Sequence, residues 1–598
     1  MDVSQKEPCL VSAGQGFSVR YHNRYLFSKY TPQRAVQHII DSIDIREGTL
    51  FLLYSPILQF PIDLLVKKIS TYPPEIQKSC CILIVEHDKI LYEFSQSHII
   101  FSSATNTICH SNIITPIQYI YAESPKSVIR FVNKAQKNGL FPVQGVIRRT
   151  IRIDCSAATQ DITVLPDTIS FYAKLQQYLD DFIANFWKNR ITLTHLGRLF
   201  TANMLKNISL LPKSHPLVAH SIYKPILICA AGCSLDDTLS KLPAYFSRKN
   251  IYIIAVDVTL IPLLKRNIVP DAVLSMEGQL AIEQAYVGIE SLIEKTLSSK
   301  LIVGNPSCIH YICDISSRNR IARYFTFFKY ATISFFMTEY CTEPFMNRVE
   351  HTKLVKPLIP PLGSVGLAAV EIALYLRDFE TPIYVSGLDF SYPAGLSHCK
   401  EAPAPQKILR TNSYLSPAGS PEAAFKNGAK LLNSNKKEYS TNYTDIALSG
   451  YGRLFNEHFV TAKNVYTLTN SGFPLKIQYA TLSEFKMAQK TMQLNIRLNK
   501  DIPNTVKSDT SMQIVNNFYT EERKKLLKIK KILTAKEPQK NNTPKIETQK
   551  ELLSLIDTCS YLYLHFPDGY KKARLEQDFL NRVRAGIDYY LKICNQRN

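Results

Sequence analysis

Apolar and polar positions in this chain come in blocks. Short apolar runs recur, and several stop abruptly on small or polar residues. Pro225-Ile-Leu-Ile-Cys229 runs into Ala230-Ala-Gly-Cys-Ser234, which opens a helix-like segment, Leu235 to Leu242. Ile251 to Val256 ends on Asp257, Ala272 to Met276 ends on Glu277, and Lys300 to Val303 ends on Gly304-Asn305. Uninterrupted apolar runs of this length suit buried strands of a parallel sheet. A strand, a turn, a helix and a polar residue at each strand's end describe a doubly wound α/β sheet. Ligands bind such sheets at the carboxyl ends of the strands, so residues 222 to 400 read as a nucleotide-type site.

The same pattern divides the rest of the chain. Residues 1–165 read as a smaller α/β domain, with strand-like runs Leu50-Phe-Leu-Leu-Tyr54 and Cys81-Ile-Leu-Ile-Val85 and helical spacing from Pro61 to Thr71. The second run ends on Glu86, where dinucleotide-binding sheets often place an acid for a ribose. The turn after the first run, Ser55-Pro-Ile-Leu-Gln-Phe-Pro61, contains no glycine, so the backbone cannot approach a phosphate closely. The expectation is a Rossmann-like domain without a nucleotide. Residues 166–212 have helical spacing through Leu175, Leu179, Phe182 and Phe186, with Trp187 just beyond, and read as connecting helices. The central α/β domain spans 213–482. Its stretch 393–445, rich in Pro, Ser, Asn and Gly, is longer than an ordinary loop and reads equally as a lid or as a solvated segment. Residues 483–598 form a helical carboxyl-terminal region. Glu521 to Leu533 carries apolar residues on one face and lysines on the other, the pattern of a surface helix or of one that meets a membrane or partner. A linker at 534–549 precedes two further helices near 550–563 and 573–594.

At 598 residues the chain exceeds what one core supports, and two to four domains are expected. Hydrophobic content of 45% and charged content of 20% are ordinary. The net charge of +21 favours an anionic partner such as a phosphate-bearing ligand. No recognised nucleic-acid motif accompanies it, so nucleic acid is not expected as a partner. The thirteen cysteines show no C-x-x-C and no paired Cys/His zinc spacing. Thiols in a reducing compartment are the simplest account. The first residues lack a signal-peptide core, and no uncharged apolar run approaches the roughly 20 residues needed to span a bilayer. A cytoplasmic protein is expected.

Four groups of residues carry the chemistry. In Ala230-Ala-Gly232-Cys233-Ser234 small residues let backbone amides approach an anion at a helix start, with the Ser234 hydroxyl beside them. It lacks the G-K-[ST] ending of a Walker loop. Asp257 and Glu277, each the first acid after a strand, suit a ribose diol, a magnesium ion or a helix cap. Asp271, after Pro270, reads as a turn residue. Gly363-Ser364-Val-Gly366 leads into an alanine-rich helix and offers a second helix start for an anion. Finally, the strand Pro382 to Ser386 ends in Gly387-Leu-Asp389-Phe390, with Ser397-His398 beyond it. His398 there is a candidate general acid/base.

Together these motifs resemble the motility-associated factor (Maf) proteins, flagellin glycosyltransferases. Their central domain is shared with the archaeal 6-hydroxymethylpterin diphosphokinase, the MptE-like proteins. That family shows Gly-x-Gly-Pro-Ser-Leu after a strand, then Ala-x-Asp, Pro-Asp with a strand ending in an acid, Ser-x-Gly before an alanine-rich helix, Gly-x-Asp-Phe, and Ser-His. Here they stand as Ala230 to Leu235, Ala255-Val-Asp257, Pro270-Asp271 to Glu277, Ser364-Val-Gly366, Gly387 to Phe390 and Ser397-His398. Leu26-Phe-Ser-Lys-Tyr-Thr-Pro32, Thr192 to Asn207 with Gly197 and Asn203, and Val465 to Gly472 resemble further family segments. The Gly-x-Asp-Phe strand is also similar to that of bacterial sialyltransferases. Two departures stand out: Ala230 replaces the first loop glycine and Cys233 the proline. Alanine is strained there only if the turn requires a positive φ.

The resemblance implies a sialyltransferase-like Rossmann fold and transfer of a nonulosonic (sialic-acid-like) sugar from a CMP-sugar to Ser or Thr of flagellin. It implies that Gly232, Ser234, Ser364 and Gly366 hold phosphate and sugar, that Asp257 and Asn305 hold the nucleotide, and that Asp389 or His398 takes the acceptor's proton. No cofactor is required in this picture. An alternative is a pterin pyrophosphokinase using ATP and magnesium, with Asp257, Glu277 and Asp389 as metal ligands. Another is a non-catalytic nucleotide-binding or flagellar assembly factor.

Overall fold

Long apolar runs become strands covered on both faces. In the computed structural model every residue of β4 (Thr49–Tyr54) and β5 (Cys81–Glu86) is buried. The structure describes residues 7–14, 16–100, 115–137, 147–159, 166–242, 250–298, 308–339, 343–415, 429–432, 442–492, 508–534, 546–567 and 577–595. The chain divides into two compact units: Met1–His195 with Phe566–Phe579, and Leu196–His565 with Leu580–Asn598.

The first unit begins with a small antiparallel sheet, β1 (Cys9–Ala13), β2 (Gly16–Tyr21) and β3 (Arg24–Tyr25). A parallel sheet follows, in which β6 (Ile117–Tyr121) and β7 (Arg149–Asp154) flank the central pair in the order β6-β5-β4-β7. This is one half of a Rossmann-type sheet. Ser55 turns out of β4 with φ of 50°, where a glycine-rich phosphate turn would stand. Glu86, at the end of β5, is buried and faces inward: its Oε1 accepts from the amides of His87 and Asp88 and from the Tyr172 hydroxyl, at 2.9, 3.1 and 3.2 Å. Tyr172 also stacks on Tyr54, with ring centroids 4.5 Å apart. One oxygen of the acid that sequence alone suggests for a ribose is thus taken by the domain's own groups, and the other, Oε2, is buried without a hydrogen-bond partner among the described residues.

The second unit is built on nine parallel strands: β8 (Ile226–Cys229), β9 (Tyr252–Val256), β10 (Ala272–Ser275), β11 (Ile309–Asp314), β12 (Ala331–Thr338), β13 (Leu358–Ile359), β14 (Ile383–Ser386), β18 (Val465–Thr467) and β19 (Gln478–Tyr479). Their order is β13-β12-β11-β10-β9-β8-β14-β18-β19. From β8 the chain steps outward strand by strand to β13, then returns to the other side of β8 for β14. The topological switch point therefore lies between β8 and β14, where open α/β sheets bind ligands. The helix Val365–Leu376 lies over β8, β9, β10 and β14. Its Gly366, Ala368, Ala369 and Ala373 are buried, and such small side chains let it approach the sheet closely. An antiparallel set, β15 (Tyr392–Pro393), β17 (Asn442–Thr444) and β16 (Lys430–Leu431), stands beyond β14. It lies within the stretch that sequence alone left between lid and solvated segment; residues 416–428 and 433–441 lie outside the described residues.

Residues 166–207 form one continuous helix followed by a short 3-10 turn, Ile208–Lys213, where sequence suggested connecting helices. The carboxyl-terminal region is helical, with helices Ser508–Thr534, Ile546–Thr558 and Gln577–Asn595. Glu522, fully buried, fixes the first of these to the helix Glu343–His351. It accepts from Arg348 Nε and Nη2 at 2.5 and 3.1 Å and from the Tyr561 hydroxyl at 2.9 Å. A buried carboxylate is tolerated only when paired in this way. No described helix is long and apolar enough to cross a membrane.

Candidate functional site

The loop after β8 is shaped by the turn after β14. The Gly232 amide donates to Gly387 O at 2.7 Å and the Ala230 amide to Ser386 O at 2.8 Å. Gly387 has φ of 74°, and a Cβ there would sit 2.1 Å from Ala230 O. A Cβ on Gly232 would sit 2.5 Å from Asp389 Oδ2 and 2.6 Å from Gly387 O. Both glycines are needed because two turns cross at less than a methyl group's clearance. Ala230 is not among the residues with positive φ, and Cys233 has φ of −64°, so neither departure from the family loop strains the backbone.

Asp389 closes this crossing. Its Oδ2 accepts from the Ser234 amide at 2.9 Å and its Oδ1 from the Ser234 hydroxyl at 2.5 Å. The Ser234 oxygen in turn lies 3.2 Å from the Gly387 amide, which donates to it. Burial pushes the Asp389 carboxyl up to about 6, while the Ser234 bonds pull it down and Asp237 adds to the rise. On its other side the Asp389 carbonyl accepts from the Phe473 amide at 2.8 Å, which brings the Ser471-Gly472 turn against it.

The amides of Ala230, Gly232, Ser234, Leu235 and Asp236 are all engaged within the loop and its neighbours. That of Ala231 has no partner among the described residues, and that of Cys233 none beyond its own thiol. Cys233 does not cap the helix Ser234–Lys241; Asp389 does so instead, through the Ser234 amide. The helix Val365–Leu376 starts uncapped, because the Ser364 hydroxyl makes no cap bond. A Cβ on Gly366 would lie 2.6 Å from Leu388 and 3.9 Å from the Ala230 Cβ, so this second helix start meets the first at the switch point. The amides of the loop before the first helix and the uncapped start of the second add positive potential there.

Asp257 and Glu277 follow β9 and β10. Asp257 is buried, with Oδ1 accepting from the Val258 amide at 2.8 Å and Oδ2 from the Ser275 hydroxyl at 3.0 Å. Burial pushes its carboxyl up to about 7, with Glu277 adding to the rise. Glu277 Oε1 accepts from the Gln279 amide at 2.8 Å. Asp271 accepts from the Ile253 amide at 2.7 Å, in keeping with a turn role. The strand expected at 300–303 and Asn305 lie outside the described residues. His398 is half-buried, with Nδ1 2.9 Å from Ser397 Oγ, and its carbonyl lies 3.5 Å from Cys233 Sγ.

The structure thus brings Gly232, Ser234, Asp389, Ser364 and Gly366 to one crossing, and it ties the backbone of His398 to the same loop. Asp257 and Glu277 sit further along the rim. Among the described residues no three His, Cys, Asp or Glu side chains are grouped to hold a metal. Asp257 and Asp389 turn their oxygens to their own serine and amide partners, so Asp257, Glu277 and Asp389 do not fit a magnesium set.

Two contributors escape the sequence motifs. Asn203 Nδ2 donates to Gly278 O and Ser316 O at 3.2 and 3.1 Å, and Asn207 Nδ2 to Ile315 O and Ser317 O, both at 2.8 Å. One turn apart on a helix, they hold the backbone past the ends of β10 and β11. Their four-residue spacing was the readable signal. The other is Asp314, the buried end of β11, whose Oδ1 accepts from the Ser316 amide at 2.7 Å.

Residues 200–395 match the family described as 6-hydroxymethylpterin diphosphokinase MptE-like. The whole chain is 29% identical over 615 aligned residues to an uncharacterized protein of Treponema pallidum (strain Nichols), covering 96% of it. Its fold is similar, with a TM-score of 0.55 and 11% identity, to the structure of a Maf glycosyltransferase from Magnetospirillum magneticum AMB-1, covering all of this chain and 92% of that one. The resemblance read from the motifs therefore holds for the fold along the full chain and for the central domain.

Proposed function

We propose that this chain is a glycosyltransferase that moves a nonulosonic sugar from a CMP-sugar to Ser or Thr of flagellin, in the cytoplasm. The observation that carries the reading is the convergence of two helix starts, the second of them uncapped, on the β8/β14 switch point. The likeness of the chain to a Maf glycosyltransferase supports the same assignment. A donor phosphate fits the amides of Ala231 and Cys233 and the start of the Val365 helix, beside Ser364. In the transfer, the bond between the sugar's anomeric carbon and the phosphate oxygen breaks, and CMP leaves with the electron pair. The acceptor oxygen bonds to that carbon and its proton passes to His398. Helix-start amides stabilise the charge that develops on the leaving phosphate. Asp389, with both oxygens on Ser234, holds the loop in shape, and Asp257 does the same for the turn after β9. The nucleotide role of Asn305 rests on the motif resemblance.

A second reading, ATP-dependent pyrophosphoryl transfer to a pterin alcohol, is favoured by the match of residues 200–395 to the MptE-like family. The scattered carboxylates weigh against its metal requirement. Thermal shifts of the full chain with CMP, a CMP-sialic-type donor, and ATP with magnesium test these readings, since a ligand that binds only the folded state must stabilise it. Stabilisation by CMP, lost in Gly232→Asp, is expected. A shift with ATP–magnesium alone would replace transfer by the kinase reading. No shift with any nucleotide would favour a non-catalytic assembly factor.

A further inference from the structure

Asp236 lies in the first turn of the helix that starts at Ser234, and its two oxygens face different partners. Oδ2 accepts from the Lys400 amide at 2.7 Å, and Oδ1 accepts from Arg266 Nη2 at 2.9 Å. Its side chain is 15% exposed. Lys265, beside Arg266, pairs with Glu401. Just upstream, the buried Cys399 gives its amide to Ala231 O at 2.8 Å. Cys233 Sγ lies 3.1 Å from Leu396 O and 3.5 Å from His398 O, donating to them. Burial pushes that thiol up to about 12, so it remains a protonated donor. The strap Leu396–Glu401 is therefore tied to the loop 231–236 on both sides of His398.

We propose that Asp236 is a positioning residue: it clamps this strap onto the anion-binding loop and so fixes the place from which His398 meets the acceptor. The chemistry rests on the transferase reading above, whereas the clamp itself rests on the hydrogen bonds alone. The strap is then a fixed wall of the site, and the segment that sequence left between lid and solvated loop begins as built structure. A catalytic group must be held to a fraction of an ångström by its supporting bonds. A displacement of the order of an ångström can cost up to about a hundredfold in rate.

The test compares D236A and D236N in the full-length chain. Asparagine keeps an oxygen for the Lys400 amide but turns an NH2 donor toward Arg266, so the tie to the strap stays while the Arg266 bond and the charge are lost. Hydrogen–deuterium exchange of peptides covering 396–402 should rise about tenfold in D236A and stay near wild type in D236N, as expected for local opening of the strap. With a CMP-sialic-type donor, kcat should fall about tenfold in D236A while the donor's KM stays within about twofold. The limb of the kcat–pH profile that reports the base should shift with it, and D236N should restore both. Should D236A fail to fold, C233A removes the thiol ties to Leu396 and His398 and is read the same way. Unchanged strap exchange overturns the clamp whatever the activity does. Raised exchange with unchanged kcat overturns the positioning role. A wild-type chain without transferase activity, whose strap still opens in D236A, overturns the transferase reading and leaves the clamp standing.

Discussion

Ser234 meets Asp389 twice across 155 residues of sequence, by its backbone amide at 2.9 Å and by its hydroxyl at 2.5 Å. One side chain thus locks the loop after β8 to the turn after β14. Removing the hydroxyl in Ser234→Ala leaves a buried carboxylate oxygen short of a partner, which costs about 1–3 kcal/mol. Chemical denaturation should show that loss, and CMP should raise the melting temperature of the variant less than that of wild type. An unchanged denaturation midpoint would sink the assigned role of the pair.

Gly232→Ala is expected to be worse than its size suggests, because the added methyl meets Asp389 and Gly387 O. Overpacking of this kind typically costs about 1–3 kcal/mol, and stabilisation by CMP should disappear. Gly16→Ala is the control, since nothing lies within 4 Å of its notional Cβ. Equal stability of the two variants would show that the crossing is looser than described.

Stability should carry the signature of Asp257. Its folded value, about 7, lies above the ordinary 3.8. Between those values the native state holds more protons than the unfolded state, so this group's contribution falls as pH rises. Its contribution is therefore fully present below about pH 4 and lost by about pH 7. The stability of Asp257→Asn relative to wild type should then grow across that window, by at most about 4 kcal/mol. Urea unfolding at a series of pH values measures it, and a constant difference between the two proteins would contradict the burial argument.

Glu522→Ala should strongly destabilise the carboxyl-terminal helices, since it strands Arg348 and the Tyr561 hydroxyl without their buried partner. Breaking such a pair costs about 3–5 kcal/mol. The double variant Arg348→Met, Glu522→Leu should recover most of that loss. Failure of the double variant to recover would mean that packing, and not charge, holds this junction.

Glu86→Gln should leave the thermal shift with CMP unchanged, because Glu86 faces Tyr172 and the amides of its own turn. A diminished shift would assign the nucleotide to the first unit instead.

The strands of the switch point were legible in sequence because they are continuous apolar runs ending on recognisable residues. The glycines at 232, 366 and 387 and the acid at 389 were legible for the same reason. That Ser234 and Asp389 bond each other was not legible, because it depends on β14 returning to the side of β8, a fact of sheet order. The role of Gly232 was visible as a need for smallness, but the cause is clearance from Asp389 as well as access for an anion. No sequence motif marked Asp236, and only the path of the chain at Lys400 gives it a partner besides Arg266. The strand ending on Glu86 and the apolar face of the helix that carries Tyr172 were both legible, but that the Tyr172 hydroxyl lands on Glu86 depends on how that helix packs on the sheet.

The first unit draws one of its pieces, Phe566–Phe579, from near the far end of the chain. Within it Arg190 donates to the Phe566 carbonyl, and the rings of Phe566 and Phe579 meet edge to face. On the ribosome, where residues are added at about 5–20 per second, this unit waits for its last piece until residues 196–565 have been made. A chain stopped or cut before residue 566 lacks part of the unit built on residues 1–195, so damage there is felt about 370 residues away in sequence.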